Sequence, residues 1–235
     1  GQVVHTAAEL VVRDYLNVFG DTLMLVPSAG EVHDAPQIIV ATCGVGDADL
    51  LIEQLGVECD TLGMYPESYC IGVKEVNGKP CLYIIGGDTH GTAYGLMALT
   101  RLMGVSPWEW WADATPEKRE VFRLPVGYTL TQEPTVPYRG IFLNDEDWGL
   151  LPWSNQTYEP HKDKNHIGPK TYRRIFELML RLRANTLWPA MHECTLPFFL
   201  TEGNREAAAD YGIFIGSSHC EPMVCNAAGE WERRG

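Results

Sequence analysis

Three runs decide the fold: YRGIFLNDEDWG (138–149), NTLWPAMHE (185–193) and YGIFIGSSHCEP (211–222). Each is a short apolar stretch that ends in a cluster of polar, ionisable or aromatic side chains. Their length and aromatic or β-branched content predict strands over Tyr138–Leu143, Thr186–Met191 and Ile213–Gly216. Between the first two, Pro169 suits the first position of a helix running to about Arg183, with Ile175, Leu178, Met179 and Leu182 on one face. Between the second and third, Glu202 to Tyr211 reads as a shorter helix. A long polar loop is expected over 151–168. Strand, helix, strand, helix, strand is the pattern of a parallel βαβαβ unit. The ionisable groups then fall at the C-terminal ends of the strands, where open α/β sheets and (β/α)8 barrels build their sites.

Upstream the rhythm differs. Val4, Ala7, Ala8, Val11, Val12 and Tyr15 recur at helical spacing, and Gly20 stops that helix. Ile38–Thr42 reads as a buried strand, and Asp47 to Leu55 as a short helix capped by Asp47. Asn77-Gly78 joins Tyr69–Val76 to Cys81–Ile85 in a predicted hairpin. Gly86-Gly87-Asp88-Thr89 opens a helix from Thr92 to Met103, with Asp88 or Thr89 as its cap. Pro125, Pro134 and Pro137 punctuate a linker-like stretch before the parallel unit.

Composition narrows the function. The 235 residues carry 18 Lys+Arg and 31 Asp+Glu, a net charge of −13, which opposes a non-specific grip on nucleic acid or anionic membrane. No apolar run reaches the roughly 20 residues of a membrane span. Seven Trp and ten Tyr exceed what cores require and suit a site that stacks flat faces such as those of sugars. Seven Cys without CxxC argue against a disulfide scaffold or a zinc ribbon. No basic-then-apolar leader precedes the first helix; a mature protein whose signal had been removed reads the same.

The chemistry-bearing residues gather at the three strand ends. Asp145, Glu146, Asp147, Glu193 and Glu221 are carboxylates beside Trp148, Trp153 and Trp188. Glycoside hydrolysis needs two carboxyl groups, one protonated and one ionised, and rings for the sugar to lie on. His192, Glu193, His219 and Glu221 could instead ligate zinc or manganese, which makes a metal-dependent barrel hydrolase the alternative. Neither HxH nor HExxH supports that reading. Ser217 and Ser218 lack the GxSxG elbow of a nucleophile. Gly44-Val45-Gly46 lacks the third glycine of a dinucleotide loop, since Asp49 stands there. A third possibility is a non-catalytic carbohydrate-binding piece.

The runs at 104–120 (GVSPWEWWADATPEKRE), 138–153, 167–198 and 212–223 resemble glycoside hydrolase family 115, and the likeness extends upstream through 86–104. That resemblance implies α-glucuronidases that release glucuronic acid, or its 4-O-methyl ether, from xylan with inversion and without a covalent intermediate; no cofactor is expected. It implies an N-terminal α/β (α+β) domain, residues 1–128, followed by the first three βα units of a (β/α)8 TIM barrel, residues 129–235. Asp145 matches the family's NDE aspartate, flanked by Asn144 and Glu146. Trp188 matches the LWPAM tryptophan, a platform for glucuronate. His219 matches the SSHxEP histidine, with Glu221 following; it is also a partner for the glucuronate carboxylate. The expected catalytic set is thus Asp145, Glu146, His219 and Glu221. The expected substrate contacts are Asn144, Trp148, Trp188, His192 and Glu193. Cys220 stands where many members have His, and His192 where many have Trp. A further catalytic glutamate is expected beyond Gly235, in the rest of the same polypeptide. Xylan or a xylo-oligosaccharide is the expected partner, with a homodimer of the full-length enzyme and a secreted or periplasmic location also implied.

Overall fold

Apolar residues recur along Gln2–Phe19 at helical spacing, and the segment is helix α1. Val3, Ala7, Leu10, Val11 and Val18 turn inward, and Gly20 closes the helix in the left-handed conformation (φ 73°). The computed structural model describes residues 1–26, 37–46, 48–76, 78–144, 146–192, 194–218 and 221–225, apart from the side chains of Glu146, Asp147 and Pro222. The expected cap Asp47 and hairpin residue Asn77 lie outside that set.

The packing separates into two units, dividing between Pro137 and Tyr138. In the first, β1 (Ile38–Thr42), β2 (Tyr69–Val76), β3 (Lys79–Gly86) and β4 (Thr129–Gln132) form one sheet in the order β1-β3-β2-β4. β1 runs parallel to β3, and the two remaining pairings are antiparallel. Val76 opposes Lys79, the register that a two-residue turn imposes. Helices α2 (Ala48–Leu55) and α3 (Cys59–Gly63) follow β1, and α4 (Thr89–Leu102) follows β3. Asp88 caps α4 by accepting from the Gly91 N–H at 2.8 Å. Its other oxygen accepts from the Glu67 N–H at 2.8 Å. Ile39, Leu51, Ile52, Leu55, Leu62, Tyr83 and Ile85 make one apolar cluster, each large side chain contributing roughly 1.5–3 kcal/mol by leaving water.

Two features of this unit depart from the sequence reading. Residues 129–132, expected in the second domain, pair with β2 as an edge strand; four alternating residues between prolines gave too short a signal. Cys43 and Cys59 form a disulfide. No scaffold of cystines exists among the described residues, but this one staple pins the end of β1 to the start of α3. Cys70 and Cys81 stay buried thiols, and burial pushes the Cys81 thiol up.

The second unit is built on three parallel strands, β5 (Gly140–Phe142), β6 (Thr186–Trp188) and β7 (Phe214–Ile215), adjacent in that order. All are shorter than expected. Pro189 has no N–H for a ladder and ends β6. Gly140 is required by close approach: a Cβ there would sit 1.8 Å from the Thr186 carbonyl oxygen. After β5 the first part of the expected polar loop, residues 151–158, is instead helical. Two π-helical turns, Glu146–Leu150 and Ser154–Tyr158, flank a single α-turn, α5 (Leu151–Trp153).

Helix α6 (Pro169–Arg181) starts at Pro169 as expected. Its buried face is Tyr172, Ile175, Phe176 and Met179; Leu182, expected on that face, is 45% exposed beyond the helix end. Helix α7 (Asn204–Tyr211) packs on α6, with Phe176 and Tyr211 ring centroids 6.2 Å apart and an Arg173–Asp210 ion pair at 2.6 Å. Within α6, the buried Arg181 donates from Nε and Nη2 to Glu177 Oε1 at 3.1 and 3.0 Å. Arg174 donates to the other carboxylate oxygen at 3.1 Å, so this buried charge is matched on both sides.

Candidate active site

Parallel pairing brings the C-terminal ends of β5, β6 and β7 side by side. Past β5 the ladder continues for one more bond, the Leu143 N–H donating to the Trp188 carbonyl at 2.9 Å. Past β7 the Gly216 N–H donates to the Leu187 carbonyl, also at 2.9 Å. Chain leaving these strands is therefore tied down where the candidate residues begin.

At the end of β5, Asn144 is exposed. Asp145 lies outside the described residues, and Glu146 opens the helical turns without a described side chain. Trp148 follows with 89% of its surface exposed. At the end of β6, Trp188 is 42% exposed, and its indole meets the Phe142 ring edge to face, centroids 5.7 Å apart at 66°. His192 is exposed, its carbonyl accepting from the Thr195 N–H at 2.9 Å. Glu193 lies outside the described residues. At the end of β7, Ser217 donates to the Glu221 carbonyl at 2.7 Å and Ser218 to the Met191 sulfur at 3.0 Å. Glu221 is 7% exposed, which sets it apart from the exposed Asn144 and His192. His219 lies outside the described residues. The metal reading leans on Glu193 and His219, so half of its ligand set is outside the described residues.

The segment after β5 is clasped to α6 by residues that sequence reasoning missed. Glu159 accepts from the Lys170 and Thr171 N–H groups at 3.2 and 3.0 Å and from the Thr171 hydroxyl at 3.1 Å. It supplies the cap that Gly168 cannot, since the first N–H groups of a helix have no partner within it. A negative carboxylate is also favoured at a helix N-terminus. Ser154 and Thr171 share a buried hydroxyl contact at 2.6 Å. Arg174 donates to the Tyr158 hydroxyl at 3.2 Å, and Tyr158 stacks on Trp153 at 5.0 Å and 8°. The signal in the sequence was the Gly168-Pro169 start with no Ser, Thr, Asp or Asn before it. A helix opening that way needs a donor-accepting group from elsewhere, though nothing in the spacing says which.

His161 and His166 stack in the same segment, centroids 4.0 Å apart at 20°. Burial holds the His166 imidazole below its ordinary value, and His161 pushes the same way against the opposing pull of Glu159 and Asp163. Its Nδ1 is buried without a hydrogen-bond partner, which also favours the neutral ring.

Comparison with known proteins bears on all of this. The family model "Glycosyl hydrolase family 115" matches residues 131–235. A solved structure described as a novel family GH115 4-O-methyl-α-glucuronidase, BtGH115A, with specificity for decorated arabinogalactans, is 56% identical, with a TM-score of 0.89. The match covers 100% of this chain and 29% of that one. A GH138 enzyme targeting pectin rhamnogalacturonan II is 16% identical over 76% of this chain and 23% of its own, with a TM-score of 0.40. CpGH84D is 12% identical over 88% of this chain and 36% of its own, with a TM-score of 0.43. Those two likenesses are too slight to carry fold or function. No curated protein matches the chain. The matched family model, the identity over the full chain and the shared mixed α/β structure agree with the motifs at the three strand ends: the chain belongs to glycoside hydrolase family 115.

Proposed function

We propose that this chain is part of an α-glucuronidase, a glycoside hydrolase that removes glucuronic acid or its 4-O-methyl ether from the side chains of a polysaccharide. The observation that carries the reading is the 56% identity over the full chain to a 4-O-methyl-α-glucuronidase. The chain spans 29% of that relative's length, and the proposal takes the catalytic centre to include residues outside this chain. β5, β6 and β7 are read as the first three strands of a (β/α)8 barrel, supported by their parallel order and by the aromatic and polar residues at their C-terminal ends. In this proposal Asp145 and a carboxylate outside this chain flank the water of an inverting displacement, with Glu146, His219 and Glu221 around them. Asn144, Trp148, Trp188, His192 and Glu193 contact the sugar.

The resemblance pointed to glucuronoxylan. The relative's described specificity favours decorated arabinogalactan as the first substrate to try. A secreted or periplasmic location is supported by the Cys43–Cys59 disulfide, which persists in oxidising compartments. The test is release of glucuronic acid from both polysaccharides by the complete polypeptide and by its Asp145→Asn variant. Release by the parent, cut at least ~10²-fold in the variant, is the expected result. An undiminished Asp145→Asn enzyme removes that residue from the mechanism.

A further inference from the structure

Trp188 is held in place from two sides by residues that no motif singles out. On one side is the edge-to-face contact with Phe142, the residue paired with it in register across β5 and β6. On the other is Gly216, just past β7. A Cβ on Gly216 would sit 2.6 Å from the indole Nε1 and 2.7 Å from Cδ1. Real Cβ atoms do not approach that closely, so the indole rests on the bare backbone of this residue. The φ of this residue is not in the left-handed region, so the backbone conformation does not require the glycine and the approach of the indole does. The ring and the two residues that fix it thus come one from each strand end: Trp188, Phe142 and Gly216.

We infer that Gly216, together with Phe142, is a positioning residue that sets the tilt and depth of the Trp188 ring as a platform for the sugar. This rests on the proposed role of Trp188 in an α-glucuronidase and names what places it. A stacking platform acts through its angle as much as its area, because the ring must meet the apolar face of one sugar while the reacting bond stays in line with the carboxyl groups. A methyl group at position 216 leaves the backbone unstrained and can be accommodated only by movement of the indole. Misplacement of about 1 Å at such a contact is enough to cost up to ~10²-fold in turnover.

The experiment is a double-mutant cycle in the complete polypeptide, with a 4-O-methylglucuronate-decorated oligosaccharide as substrate. Gly216→Ala is expected to lower kcat/KM roughly tenfold or more, with an unchanged melting temperature. Trp188→Ala also lowers it. Because that side chain has no ring left to displace, adding Gly216→Ala to Trp188→Ala is expected to cost less than about twofold more. Additive losses, or a Gly216→Ala enzyme with wild-type kcat/KM, overturn the inference. Should Gly216→Ala fail to fold, Phe142→Leu tests the other side of the ring. Loss of that edge contact is expected to lower kcat/KM roughly two- to tenfold, and no change overturns the inference. A wild-type polypeptide that releases no glucuronic acid defeats the proposed function instead. The positioning claim is then decided by calorimetric binding of the same oligosaccharide across the four members of the cycle, where additivity again overturns it.

Discussion

Glu159 shows what a single carboxylate does in this structure. It closes the N-terminus of α6 with three hydrogen bonds and fixes the segment carrying Trp153 and Tyr158. Glu159→Ala should cost about 1 kcal/mol, the usual scale of a lost cap, read as a lower denaturation midpoint; an unchanged midpoint contradicts the clasp. The near-ultraviolet circular dichroism of the Trp153–Tyr158 stack should weaken in the same variant. His166 gives a pH dependence. Its folded pKa lies below the ordinary 6.5, so the unfolded chain binds more protons as pH falls through that value. Its contribution therefore favours folding at higher pH and is lost as the medium becomes acidic. Replacing His166 by Phe should flatten the melting temperature between about pH 5 and 7 relative to the parent. A steeper or unaltered profile would show that another group carries it. At this scale the sequence was partly legible. Asp88 as the cap of α4 and Pro169 at the start of α6 could be read locally, because both act within a few residues. Glu159, Phe142 and Gly216 could not, because their partners are 11, 46 and 28 residues away, and only the folded chain brings them together.

Among the elements, the best-read were those with a long periodic signal. Helix α1, the β2–β3 hairpin and α6 lie where apolar spacing and turn residues placed them. The parallel order of β5, β6 and β7 also follows the alternation of strand and helix along the chain. What was missed is short or irregular. β4 is four residues between prolines, and the turns over 146–158 mix apolar and polar residues without a helical stripe. The disulfide was missed for another reason, since seven cysteines leave pairing undetermined until the fold is known. Cys43 and Cys59 are separated by 16 residues, and closing a loop near that length restrains the unfolded chain by about 3 kcal/mol. Replacing both cysteines with Ser should lower stability by that order in chemical denaturation and abolish the response to reductant. A parent whose stability is indifferent to reductant contradicts the bond.

The molecule as a whole comprises a sheet-and-helix unit and a parallel unit, and the sequence at the strand ends of the latter is rich in aromatic and acidic residues. The net charge of −13 opposes an anionic ligand, so the proposed glucuronate would need a local donor set to offset it. The family assignment was legible because long motif runs, Trp-rich at 104–120 and 138–153, extend over much of the chain. The catalytic pair was not, because part of the catalytic set is expected outside the chain. The central claim is inverting release of an α-linked glucuronic acid, and the direct test is proton NMR of a decorated arabinogalactan during hydrolysis by the complete polypeptide. The account predicts that the β-anomer of the free glucuronic acid appears first and the α-anomer only as mutarotation proceeds. First appearance of the α-anomer, or no release of the acid from either arabinogalactan or glucuronoxylan, would contradict it.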